Sequence, residues 1–119
     1  MSAPRDAGRH VLIDVIGGTR LDDPEHVTET LRAAVAACGA TLLHVHTHRF
    51  SPQGVTAVAA LAESHASIHT WPEAGYAAAD LFTCGDLDPA PAIALIEAAF
   101  APAEMRVETV VRGRGVLGR

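Results

Sequence analysis

The chain has 119 residues, 49% of them apolar, and a formal charge of −5. That is enough for one domain with one core, and it leaves no basic surplus with which to hold nucleic acid. No apolar run approaches the roughly 20 residues that span a bilayer, and the opening MSAPRDAGRH lacks the apolar stretch of a secretory signal, so the expectation is a soluble cytoplasmic protein with no membrane partner. In that compartment Cys38 and Cys84 stay reduced.

RHVLIDVIGG (residues 9–18) alternates as a strand and is stopped by two glycines. A helix follows in DDPEHVTETLRAAVAACG, with Asp23 as cap, Pro24 in the first turn and Glu25 at the positive end of the dipole. Val27, Leu31, Val35 and Cys38 make its apolar face, so Cys38 reads as a small buried hydrophobe, and Gly39 ends the helix. ATLLHVHTHRF (40–50) is a second strand, SPQG a turn and VTAVAALAE (55–63) a third strand paired back as a hairpin. HASIHTW (65–71) and AAADLFTCG (77–85) are the fourth and fifth strands. DPAPAIALIEAAFAP (88–102) is a second helix with Asp88 as cap and Pro89 inside its start, MRVETVVRG (105–113) is the last strand, and the Gly/Arg-rich tail is expected to fray.

The order β-α-β-β-β-β-α-β predicts an α/β (α+β) fold of one domain, residues 1–119: a two-layer sandwich of a six-stranded, mainly antiparallel sheet with two helices on one face. The other face then meets solvent, a ligand or a second copy, and its small and apolar residues favour a homodimer.

Three kinds of chemistry are weighed and set aside. His44, His46 and His48 share one strand face, with Leu43 and Val45 turned toward the helices, but adjacent positions on a flat strand diverge, and neither HExxH nor CxxC supports a metal. Ser64 has His65 and His69 nearby, yet lacks the flanking glycines of a nucleophile elbow. IGGTR is too short, and too far from the next helix, for a phosphate loop.

AESHASIHTWPEAGYAAADLFTCGDLDP, together with GRHVLIDV and HRFSPQGVTAV, closely resembles the S-adenosylmethionine decarboxylases of the bacterial and archaeal, pyruvoyl-dependent type, over nearly the whole chain. The resemblance implies a proenzyme that cuts itself between Glu63 and Ser64, giving residues 1–63 and a chain of 64–119 capped by a pyruvoyl group made from Ser64. The serine hydroxyl attacks the preceding carbonyl to give an ester, and elimination and hydrolysis follow. The resulting ketone forms a Schiff base with the amine of a small-molecule substrate and takes up the electrons left by CO₂. The product is decarboxylated S-adenosylmethionine, used for spermidine and other polyamines.

By the same resemblance His69 assists processing, and Cys84 donates the proton that ends decarboxylation, as a thiol with an unperturbed pKa of about 8.5 is able to do. Phe50 and Trp71 offer aromatic faces to a nucleoside and a sulfonium, and Glu73 accepts from ribose hydroxyls. Two departures stand out: Ala66 where relatives carry a bulky aliphatic, and VIGG where many have an aromatic. They keep open a pyruvoyl-dependent ornithine or arginine decarboxylase, in which Asp14, Asp80 or Glu73 would meet the distal cation. An unprocessed homologue that only binds is a further alternative, disfavoured by intact Ser64, His69 and Cys84. His65 has no assigned role and reads as a sheet residue opposite or beside the site.

Overall fold

Residues 3–84 and 87–118 are described by the structure, a computed structural model. The elements follow the predicted order: β1 (Gly8–Ile16), α1 (Pro24–Ala37), β2 (Leu42–Arg49), β3 (Val55–Leu61), β4 (Ser64–Trp71), β5 (Tyr76–Thr83), α2 (Ala90–Phe100) and β6 (Glu104–Arg112). They make one six-stranded sheet in the order β2-β3-β4-β5-β1-β6, and each neighbouring pair is antiparallel. Among the described residues no helix is long and apolar enough to cross a membrane.

Period-two alternation decides what each strand buries. Val11, Ile13 and Val15 of β1, Val55, Ala57 and Ala59 of β3, Ala66 and Ile68 of β4, and Ala77, Ala79 and Leu81 of β5 all point to one face. Both helices lie on that face, α1 across β2, β3 and β4, α2 beside β1 and against α1. The small alanines let the helices approach closely, and Leu31, Val35, Ile96 and Phe100 fill the space between the layers. Helix α1 starts as its punctuation predicts, with the Asp23 carboxylate accepting from the His26 N–H (3.1 Å) and Pro24 in the first turn.

Three local expectations are corrected. Leu43 does not face the helices: the β2–β3 register shifts between Leu42 and His44, and Leu43 is 65% exposed. The irregularity hands its place in the packed layer to Leu42 and Val45. Helix α2 begins at Ala90, with Pro89 at its N-cap and the Asp88 carboxylate accepting from the Ala90 N–H (3.0 Å). It stops at Phe100 because Ala101 precedes Pro102, which disfavours the helical conformation, and Ala101 turns left-handed (φ 42°). The tail does not fray at Leu117, which exchanges backbone hydrogen bonds with Arg5 (2.8 and 2.9 Å). Gly85, the expected end of the fifth strand, lies outside the described residues.

On the open face stand His10, Leu12 and Asp14 of β1, Val58 of β3, His65, Ser67 and His69 of β4, Asp80 and Phe82 of β5, and Val110 of β6. Leu12, Val58 and Val110 are between 36% and 41% exposed there, so this face carries apolar side chains in contact with water.

Candidate functional site

Strands β3 and β4 are joined by two residues, Ala62 and Glu63, between the paired Leu61 and Ser64. Such short hairpins favour a positive φ within the turn itself. Here neither turn residue has one, and the positive φ falls on Ser64, at 150°. For a residue with a Cβ this is a strained conformation, of order 1–3 kcal/mol, and it sits at the bond between Glu63 and Ser64.

That turn is pinned on both sides. The Thr41 N–H and hydroxyl donate to the Glu63 carboxylate (2.9 and 3.2 Å), and the backbone bond from Thr41 holds this carboxyl below its usual range. On the other side, the Glu63 carbonyl oxygen accepts from the Cys84 N–H (3.1 Å) and from the Cys84 thiol (3.3 Å). Cys84 is exposed and sits just past β5, whose Thr83 pairs with Ser64. Two donors on one carbonyl next to a serine hydroxyl favour charge on that oxygen, the arrangement an attacking nucleophile needs.

Beside this turn is a polar network absent from the sequence reading. The Ser64 hydroxyl is 3.4 Å from His65 Nδ1, and His65 Nε2 is 3.4 Å from Asp80 Oδ2. Asp80 also takes His10 Nε2 at 2.5 Å and the Ser67 hydroxyl. Burial works to raise the Asp80 carboxyl, but the hydrogen bonds from Ser67 and His10 and the attraction of His65 outweigh it and hold it below the ordinary carboxylate range. Phe82 packs against both imidazoles, with ring centroids 5.2 and 5.7 Å away. The even spacing of 65, 67 and 69 placed these side chains on one face. Asp80 joins them only through the β4–β5 register, which pairs it with Ser67.

The remaining predicted site residues lie at the other end of β4. His69 is five residues beyond Ser64 and Trp71 seven, about 16 and 23 Å along a strand that rises about 3.3 Å per residue. His69 bonds to the Thr56 hydroxyl through Nδ1 (3.1 Å) and to Ser67 through Nε2 (3.3 Å). Phe50 and Trp71 are 47% and 44% exposed and, with Thr56, His69 and Glu73, border a groove of about 330 Å³. Trp71 leans on Tyr76, 5.3 Å between centroids. Tyr76 donates to Asp14 (2.6 Å), a bond that raises its phenol above the usual range. Ser64, Glu63 and Cys84 thus lie together, as do His69, Phe50, Trp71 and Glu73, and within the chain the two groups stand at opposite ends of β4.

Between them the open face is hollowed above Ala78, a space of about 580 Å³ bordered by Leu12, Asp14, His69, Asp80 and Arg106. His44, His46 and His48 do not form a ligand cluster. Among the described residues, His10, His65 and Asp80 bring one donor atom each within 4.8 Å of one another.

The comparisons with known proteins bear on the same geometry. The family model described as S-adenosylmethionine decarboxylase matches residues 9–113. The chain is 49% identical over 112 residues to the S-adenosylmethionine decarboxylase proenzyme of Methanococcus maripaludis strain S2, covering 92% of each chain. It is 45% identical over 111 residues to the proenzyme of that name from Thermomicrobium roseum, covering 92% of this chain and 96% of the relative. A crystal structure of the adenosylmethionine decarboxylase from Aquifex aeolicus VF5 superposes with a TM-score of 0.84 at 38% identity, over 92% of both chains. With that extent of matching sequence carried on the same fold, the chain belongs to the S-adenosylmethionine decarboxylase family.

Proposed function

We infer that the chain is an S-adenosylmethionine decarboxylase that cuts itself between Glu63 and Ser64 and carries its cofactor as a pyruvoyl group made from Ser64. One observation carries the reading. The Glu63 carbonyl is held by two donors from Cys84, next to a serine hydroxyl on a strained backbone. A hydroxyl one residue past a polarised carbonyl is the donor set that self-cleavage requires, so the residues present fit the group. The relatives' shared designation as proenzymes agrees with it.

Once formed, the pyruvoyl group supplies a ketone for the substrate amine and an adjacent carbonyl that accepts the electrons left by CO₂. This chain's own residues bind, orient and protonate. Cys84, beside the new chain end, holds the proton that the substrate carbon takes after CO₂ departs. Phe50 and Trp71 present ring faces to the adenine and the sulfonium, and Glu73 accepts from the ribose hydroxyls.

These groups need a second protomer. A two-fold axis between two open faces, perpendicular to the strands, lays the Ser64 end of one sheet on the Trp71 end of the other. Each site then takes Ser64 and Cys84 from one chain and Phe50, His69, Trp71 and Glu73 from its mate, and the apolar open face is covered. The working unit is read as a homodimer of processed chains. It belongs in the cytoplasm, where free Cys38 and Cys84 remain thiols. The relatives and the solved structure all bear the adenosylmethionine activity in their names, which favours that substrate over ornithine or arginine.

Intact mass spectrometry tests the reading. Purified protein separates into residues 1–63 and a blocked chain of 64–119 that releases CO₂ from carboxyl-labelled adenosylmethionine, whereas Ser64→Ala stays whole and inactive. A wild-type chain that remains at full length, or an Ala variant that still releases CO₂, would refute it.

A further inference from the structure

We propose that His65 is the general base for the first step of self-cleavage, with Asp80 as its positioning residue. The proposal rests on the self-cleavage reading above and assigns a second histidine to it, distinct from His69. The geometry is local to one protomer. His65 Nδ1 is 3.4 Å from the Ser64 hydroxyl, the atom that must lose a proton to attack. Nε2 of the same ring is 3.4 Å from Asp80 Oδ2, so the tautomer with its proton on Nε2 leaves Nδ1 free to accept. His69 of the same chain is about 16 Å along the strand from Ser64, so a His69 reaches this site only from the mate, and its two ring nitrogens are already engaged by Thr56 and Ser67.

Asp80 has little freedom to do anything else. Ser67 fixes one of its oxygens, His10 the other, and the carboxylate remains ionised in a half-buried place. Its charge favours an imidazolium at His65 as the hydroxyl proton arrives. The Glu63 carbonyl, meanwhile, receives the Cys84 N–H and thiol on the oxygen that becomes negative. Nucleophile, base, orienting carboxylate and oxyanion donors are therefore all present at the one turn whose backbone is strained.

The step balances without any co-reactant. Ser64 Oγ attacks the Glu63 carbonyl carbon and its proton passes to His65 Nδ1. The bond between that carbon and the Ser64 nitrogen breaks, and His65 returns the proton to the nitrogen as it leaves. One C–O bond forms, one C–N bond breaks, and one proton moves from oxygen to nitrogen. The later elimination, which removes the proton on the Ser64 α-carbon, is a separate event and needs a separate base, the role left to His69.

The test follows cleavage of freshly made full chain by intact mass, with and without hydroxylamine, which cuts an accumulated ester. In His65→Gln, cleavage slows about a hundredfold or more, the range a lost general base gives, and hydroxylamine does not rescue it because no ester has formed. In His69→Ala the chain stalls later, and hydroxylamine does cut it. Added imidazole restores cleavage to a His65→Gly chain. The thermal melt of His65→Gln is compared with that of uncut Ser64→Ala, and if the melts differ the decision passes to Asp80→Asn.

That variant removes the charge facing His65. His65 also faces Ser64 and His10, whose ring meets it edge-on at 5.7 Å between centroids and shares the Asp80 carboxylate, and Arg112 of β6 rests against His10 (3.3 Å). Processing therefore slows, and its half-maximal pH moves lower, a shift that a merely structural Asp80 would not produce. Wild-type cleavage with an unchanged rate in His65→Gln overturns the proposal alone, as does an ester that hydroxylamine cuts in that variant. Loss of cleavage on chelation, restored by zinc, overturns it in favour of a metal held by His10, His65 and Asp80. A wild-type chain that never cleaves removes the self-cleavage reading itself.

Discussion

Cys84 touches the Glu63 carbonyl, the one proposed to be cut, through its N–H at 3.1 Å and its thiol at 3.3 Å. The backbone contact is set by the end of β5 and survives any substitution except proline, which has no N–H. The thiol contact does not, which allows the two to be separated. A strong oxyanion donor is worth roughly a hundredfold or more in rate, and a thiol is a weak donor. Cys84→Ala is therefore expected to slow self-cleavage by about tenfold, and Cys84→Ser, which keeps a donor, by less. Decarboxylation falls steeply in both, because alanine has no side-chain proton to give and a hydroxyl is a far poorer acid than a thiol. Cleavage rate by intact mass and CO₂ release by the processed fraction measure the two effects apart. Unchanged cleavage in Cys84→Ala would mean that the thiol does not act on the Glu63 carbonyl.

At the scale of elements, the site depends on the end of β5, and β5 is held there by β1. Gly8 opens β1 against the end of β5: a Cβ on it would sit 2.4 Å from the Thr83 carbonyl oxygen and 2.9 Å from the Phe82 ring. Gly8→Ala must push that end of β5 away, and with it Cys84 on one side and the packing of Phe82 on His10 and His65 on the other. Overpacking of this kind costs about 1–3 kcal/mol. The expected outcome is a lower melting temperature together with slower cleavage. A lower melt with normal cleavage would mean that the turn is held without β5.

Nothing about Gly8 is legible from its neighbours in sequence, and the same limit separates the expectations that held from those that did not. Alternation in VLIDV and the Asp23-Pro24 cap are local signals, and they placed β1 and α1 closely. Leu43 broke the pattern because an irregularity in pairing belongs to two strands at once. Asp80 escaped notice as a partner of His65 and Ser67 because only strand register joins residues so far apart. The family was legible from the segment around Glu63 to Gly85, and the family model matches across it. What stayed hidden is that a strand keeps Ser64 and Trp71 at opposite ends, however close they stand in the text.

For the whole molecule, that separation is the reason the proposed function takes two chains. Ser64, His65 and Cys84 lie at one end of β4, and His69, Phe50 and Trp71 at the other. In the proposed dimer, two open faces stacked head to tail would complete two sites at once and cover Leu12, Val58 and Val110. Mixed dimers test this directly. A Ser64→Ala chain lacks the nucleophile but keeps His69, and a His69→Ala chain keeps the nucleophile. Each alone is expected to remain without a pyruvoyl end. Co-expressed in equal amounts, they form mixed dimers in which one site has Ser64 from the second chain and His69 from the first. Random pairing puts about half of the His69→Ala chains in such dimers. That share of them should be processed, while the Ser64→Ala chains stay whole. Intact mass resolves the two chains if one carries a short tag, and size-exclusion chromatography with light scattering gives the stoichiometry. If His69→Ala chains remain unprocessed in the mixture although mixed dimers are present, His69 does not act across the interface, and the head-to-tail arrangement is wrong.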